Sequence, residues 1–241
     1  MSSQSEKSLQ YLYARIAGLS YIIFTVAGWV KVFILNTRLS DIGTIQTNGM
    51  FANEIHFRLG ILAETVMFLG VIMASVSFYI VLKPVSKQLA QTTLCLRLVE
   101  IIIGGIAVVV SMAMLALSSK VSLLETFDPE QLRTIVVIAS SFRVPAYEYS
   151  WISMGFAGVI TFYLFFKSRY IPRVWSVWGI LTYLSLIVYP LVKLLKPDLP
   201  REAMYVLFPG ALFELGVGIW LFTMGIKNQE IAVSSRHNGP V

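Results

Sequence analysis

Leu96–Leu117, LRLVEIIIGGIAVVVSMAMLAL, is the stretch on which the fold turns. Its length matches the roughly 20 residues, at 1.5 Å of rise each, that carry a helix across a hydrocarbon core about 30 Å thick. Only Arg97 and Glu100 are charged in it. Three residues apart on a helix, their heads share one face and can meet, while the remaining faces are free for lipid. A span of this kind predicts a bundle, because a lone helix has nowhere to hide the pair.

Working outward, five more apolar runs reach spanning length. The six predicted spans are Ile16–Leu35, Phe57–Leu82, Leu98–Leu117, Tyr147–Phe166, Val174–Leu195 and Tyr205–Ile226. The expected fold is an all-α integral membrane protein, a single transmembrane domain of six helices over residues 1–241. FDPEQL (Phe127–Leu132) opens with a helix-start signal, Asp128 as cap, Pro129 first and Gln131 three after the cap, and predicts a short extra helix on the outer face before the fourth span, with Pro145 kinking or ending it. The first run follows Lys7 and Arg15 as a signal peptide would, but no small-x-small cleavage site comes after it, so it reads as a retained span.

Composition agrees. The chain is 56% hydrophobic and 13% charged, against about 45–50% and 25% in soluble domains. One cysteine, Cys95, excludes an internal disulfide framework, and two histidines, His56 and His237, cannot assemble a His-rich metal site. The net charge of +6 is scattered through short loops without a basic stripe, so no nucleic-acid partner is expected. No phosphate loop, paired-cysteine motif, nucleophile elbow or zinc helix is present, and no cofactor or metal is predicted. The expected partner is the lipid bilayer. Lys and Arg number nine on the side of the termini (such as Lys83, Lys87, Lys167 and Arg173) and six on the other, which predicts both termini in the cytoplasm.

The charges left within or bordering the spans are four bases, Lys31, Arg58, Arg97 and Arg143, and four acids, Glu64, Glu100, Glu148 and Glu214. An ionised carboxylate at mid-membrane costs about 3 kcal/mol on the most lenient scales, so each must find a cation, a proton, water or the bundle interior. Arg15, Arg97 and Glu100 are expected to form an ion cluster at the inner end of the first and third spans. Glu64 lies six residues after Arg58, about 9 Å deeper and on another face, so its partner must come from another helix; Lys31, Arg143 and the tyrosines near Pro145 are the candidates. RVPAYEYSW (Arg143–Trp151) places Tyr147 and Glu148 at the outer mouth of the fourth span. Glu214 is the deepest acid, one turn after Pro209-Gly210. Arg58, Glu64, Arg143, Tyr147, Glu148 and Glu214 are thus the candidate ligand-binding residues, lining an outer-half cavity.

The motifs ARIAGLSYII (Ala14–Ile23), FRLG (Phe57–Gly60), LKPV (Leu82–Val85), RLVE (Arg97–Glu100), FDPEQL, SRYIPR (Ser168–Arg173) and PGALFELGVGIWL (Pro209–Leu221), in this order, resemble domain-of-unknown-function family 4386, a group of small polytopic bacterial membrane proteins. The resemblance implies a bacterial inner-membrane protein of six spans and carries over no catalytic residue. Function therefore rests on the buried charges. They fit a carrier or binding protein for a small solute or lipid-like ligand; alternatively a structural or regulatory subunit held together by ion pairs, or a lipid- or quinone-modifying enzyme if Glu64 and Glu214 converge. The residues name neither ligand nor oligomeric state.

Overall fold

The computed structural model describes residues 3–34, 54–119 and 127–227. Among them the regular structure is wholly helical: α1 (Ser3–Trp29), α2 (Glu54–Leu82), α3 (Lys87–Ser119), α4 (Pro129–Ser168), α5 (Arg173–Leu195) and α6 (Phe208–Met224). α1 ends in a wider π-helical turn, Val30–Ile34, and α6 is preceded by a tighter 3₁₀ segment, Arg201–Leu207. α1 to α5, and α6 together with the 3₁₀ segment before it (Glu202–Met224), have the length and apolarity to cross a bilayer. The chain is a multi-pass membrane protein.

The helices form a closed ring. Each packs on its neighbours in the chain, α6 returns to pack on α1, and α2 and α4 touch weakly across the interior. Short turns, residues 83–86 and 169–172, dictate the α2–α3 and α4–α5 neighbours in this order. Closure depends on glycine: a Cβ on Gly18 of α1 would lie 2.7 Å from the Gly218 carbonyl oxygen of α6, and one on Gly218 would lie 3.1 Å from that of Gly18. Only glycine allows backbones this close, and without a hydrophobic drive between helices in lipid such packing is what holds them. At the end carrying the α1 N-terminus, here the base, Gln10 donates to the Val81 carbonyl (2.7 Å) and to the Tyr170 hydroxyl, and the Lys227 amide donates to the Tyr170 carbonyl (2.9 Å).

Two helices differ from expectation. α3 begins at Lys87, so the apolar run is only its upper part. The lower turns, KQLAQTTLC, are too polar to register as a span, yet Ala90 and Thr93 are buried there against the bundle. α4 is one continuous helix of 40 residues; the predicted outer helix exists as its first turns, not as a separate element. The Gln131 side chain accepts from the Asp128 amide at 3.1 Å, as the start signal required. Pro145 lies inside α4, where it removes one backbone bond without ending the helix, as neighbouring helices permit in membranes.

Aromatic rings fill the interior. Tyr21, Phe78, Phe162, Phe165, Tyr183 and Phe213 are all buried; Phe162 stacks on Tyr183 with centroids 5.6 Å apart and meets Phe213 edge-on at 5.0 Å. The outer surface is apolar instead, with Ile102, Val109, Leu181 and Val174 exposed, the inversion expected when lipid is the solvent.

Candidate functional site: two buried charge clusters

Ten residues above Lys87, about 15 Å along α3, Arg97 and Glu100 face the ring interior, each 4% exposed. The predicted pair is made: Arg97 Nη1 donates to Glu100 Oε2 at 2.9 Å. Because α3 starts lower than its apolar stretch, the pair lies well inside α3 and not in its first turns. Arg15 does not join it; exposed on α1, it donates to the Phe222 carbonyl at 2.8 Å and lies over the Phe222 ring.

The other partners are phenols from across the ring. Arg97 Nη2 donates to the hydroxyls of Tyr21 on α1 (3.4 Å) and Tyr183 on α5 (3.3 Å). The two hydroxyls are 2.8 Å apart, and Tyr183 donates to Glu214 Oε1 on α6 at 3.0 Å. A phenol has one hydrogen. Since Tyr183 spends its own on Glu214, Tyr21 is the donor to Tyr183, and the chain of donation runs Tyr21 to Tyr183 to Glu214. The Tyr183 ring is seated by Gly158 of α4, where any Cβ would occupy the ring itself. Sequence reading missed both tyrosines; the signal was their place within spans, away from either interfacial belt.

The second cluster lies nearer the opposite end, the top. Lys31, in the π-helical turn of α1, pairs with Glu64 Oε1 of α2, and Arg143 Nη2 of α4 reaches Glu64 Oε2 at 3.4 Å. Arg143 Nε also donates to Ser111 Oγ of α3 at 2.6 Å. Lys31 Nζ stands 4.8 Å from the Tyr147 ring centroid, a cation–π contact. Tyr147 donates to Met67 Sδ at 3.7 Å and packs edge-on against Trp151. The Glu64 side chain is 1% exposed, those of Lys31 and Arg143 12% and 13%. Two of the cation candidates for Glu64 thus hold it together.

The six candidate ligand residues are therefore not gathered in one place. Glu64, Arg143 and Tyr147 meet at the top cluster. Glu148 pairs with Lys193 of α5 at a more open position, with side chains 16% and 35% exposed. Arg58 is exposed near the start of α2. Glu214 belongs to the central network, because α6 packs on α1 and not on α2. Pro209 falls in the first turn of α6, where proline costs no backbone bond; it does not break a helix, and the change of geometry lies in the 3₁₀ segment just before it. With α1 between α2 and α6, Glu64 and Glu214 share no hydrogen-bond or ion-pair partner among the described residues, so they do not make a paired-carboxylate centre.

A model of the family described as a domain of unknown function, DUF4386, matches residues 16–225. The chain belongs to the DUF4386 family. No curated protein and no solved structure matches it. All six helices and both charge clusters of this DUF4386 chain lie within the matched region, apart from the first turns of α1. Their charges are partitioned unevenly: the top cluster holds two bases and one acid, the central network one base and two acids.

Proposed function

We propose that this chain is a solute-binding or carrier protein of the bacterial inner membrane that takes a small or lipid-like ligand by an acidic group at the top cluster. One observation carries the reading: Lys31 and Arg143 converge on a single carboxylate, so that among the described residues the cluster holds one positive charge more than its carboxylate balances. Charge of this kind inside a membrane marks a ligand or ion site by default. The small remaining accessibility belongs to the two cations and not to Glu64, so an entering anion meets Lys31 and Arg143 first. Tyr147 and Trp151 supply an aromatic wall beside the charge, suited to the apolar body of an amphipathic acid. The excess of Lys and Arg on the side of the termini supports a base facing the cytoplasm and a top cluster facing outward.

Thermal unfolding of the purified chain in micelles, with and without short-chain carboxylates or alkyl phosphates, tests the reading. An acid should raise the midpoint where its neutral amide does not. Lys31→Met leaves a neutral Arg143–Glu64 pair, so it should fold as well as the native chain and lose the acid-dependent rise. Equal rises in native protein and variant, or no rise with any acid, overturn the proposal.

A further inference from the structure

The central network carries the opposite imbalance, and its geometry assigns it a ligand of its own. Arg97 is the sole cation, yet two carboxyl groups answer to it: Glu100 directly at 2.9 Å, and Glu214 through the Tyr183 hydroxyl. Among the described residues the next charges belong to the top cluster, whose Tyr147 stands within electrostatic reach of Glu100 and Glu214 as well as of Glu64 and Arg143. Between the clusters and the base, the facing stretches of α2, α4 and α5 hold no Asp, Glu, Lys or Arg, Glu214 is the only charged residue of α6, and Arg15 on α1 turns outward to α6. With both acids ionised the centre of the bundle would hold a net negative charge that its apolar walls cannot screen.

We infer that Glu214 is a proton-binding site, neutral while the network is closed, with Tyr183 and Tyr21 as its relay. The division between the acids follows from contact. Glu100 receives the guanidinium itself; Glu214 receives only a phenol, a partner equally suited to the carbonyl oxygen of a carboxylic acid. Glu214 is half-buried among apolar side chains, and a carboxyl kept neutral by an apolar site is established chemistry at neutral pH. Loading is simple protonation: a proton from water forms an O–H bond on a Glu214 carboxylate oxygen, and no electrons change hands. Release leaves Arg97 facing two carboxylates. That state rewards any rearrangement that brings a cation closer or opens Glu214 to water, which is how a proton can drive a conformational change. The site stands independently of the ligand proposed for the top cluster.

Infrared spectroscopy of the full chain in a maltoside detergent, free of ester carbonyls, reads the state directly. At pH 7 the native protein should show the C=O stretch of one protonated, hydrogen-bonded carboxyl group, shifted in heavy water. Glu214→Gln should abolish it. Glu100→Gln should abolish it too, because Arg97 then has only Glu214 to balance it and draws that group into its ionised form. Tyr183→Phe should keep the band and move it to higher frequency, the mark of a carbonyl that has lost its donor; this variant reports even if a glutamine variant does not fold. No such band in the native protein, or one that persists in Glu214→Gln, overturns the inference. So does a band that Tyr183→Phe leaves unmoved.

Discussion

Glu64 and Glu214 are the same side chain in the same ring of helices, but they are held in opposite ways. Two cations grip Glu64, one on each oxygen, while Glu214 sees its nearest cation only through a phenol. The first is an anion with more counter-charge than it needs; the second is an acid that does better with a proton. What separates them is the neighbour each helix meets. α2 lies between α1 and α3, which bring Lys31 and the Ser111 that steadies Arg143, whereas α6 lies between α1 and α5, which offer Tyr21 and Tyr183. The role of an intramembrane carboxyl is thus decided by the facing helices.

The sharpest way to break this comparison is to replace each acid by its neutral isostere. Glu64→Gln strands two buried cations and should cost about 3–5 kcal/mol, the penalty for removing one partner of a buried ion pair. Glu214→Gln substitutes a neutral amide for a neutral acid and should cost less than about 1 kcal/mol. Denaturant unfolding of both variants in the same micelle measures the difference, and equal losses would dissolve the distinction. A smaller effect separates the clusters by packing: Gly158→Val pushes the Tyr183 ring from its seat and should cost about 1–3 kcal/mol, the usual penalty for overpacking a core. That variant should retain the acid-dependent rise at the top cluster, since Tyr183 makes no contact there. Smallest of all is Glu148→Gln. Its pair with Lys193 is partly exposed and loosely placed beside the clusters, so the loss should stay below about 1 kcal/mol. A larger one would make Glu148 a fourth charged member of the top site, beside Lys31, Arg143 and Glu64.

Much of this was legible before any fold was in view, and the residues say why. Glu100 finds Arg97 because they are three apart on one helix, a relation that spacing alone dictates. The candidate cations for Glu64 were legible by elimination, since few charges share its level. Arg15 misled because proximity in predicted depth says nothing of azimuth; the helix turns it toward Phe222. Glu214 misled for a related reason, having been grouped with the top residues by chemistry when its helix faces other neighbours. Tyr21 and Tyr183 went unseen because a tyrosine in an apolar run reads as an interfacial or core ring until its hydroxyl is shown to have partners.

The amino-acid sequence by itself determined that there are helices here, how many can cross, and that charges are trapped among them, because hydrocarbon thickness and backbone hydrogen bonding leave a membrane chain little other choice. It also determined the Arg97–Glu100 pair, which needs no more than a turn of helix. Only the tertiary structure decided how those charges were shared out. The close approach of α1 and α6 at Gly18 and Gly218, with the rotation of each helix about its axis, brought two phenols to one arginine and two cations to one carboxylate. Rotation and closure are set by contacts between residues far apart in the chain, and hydropathy is silent about both.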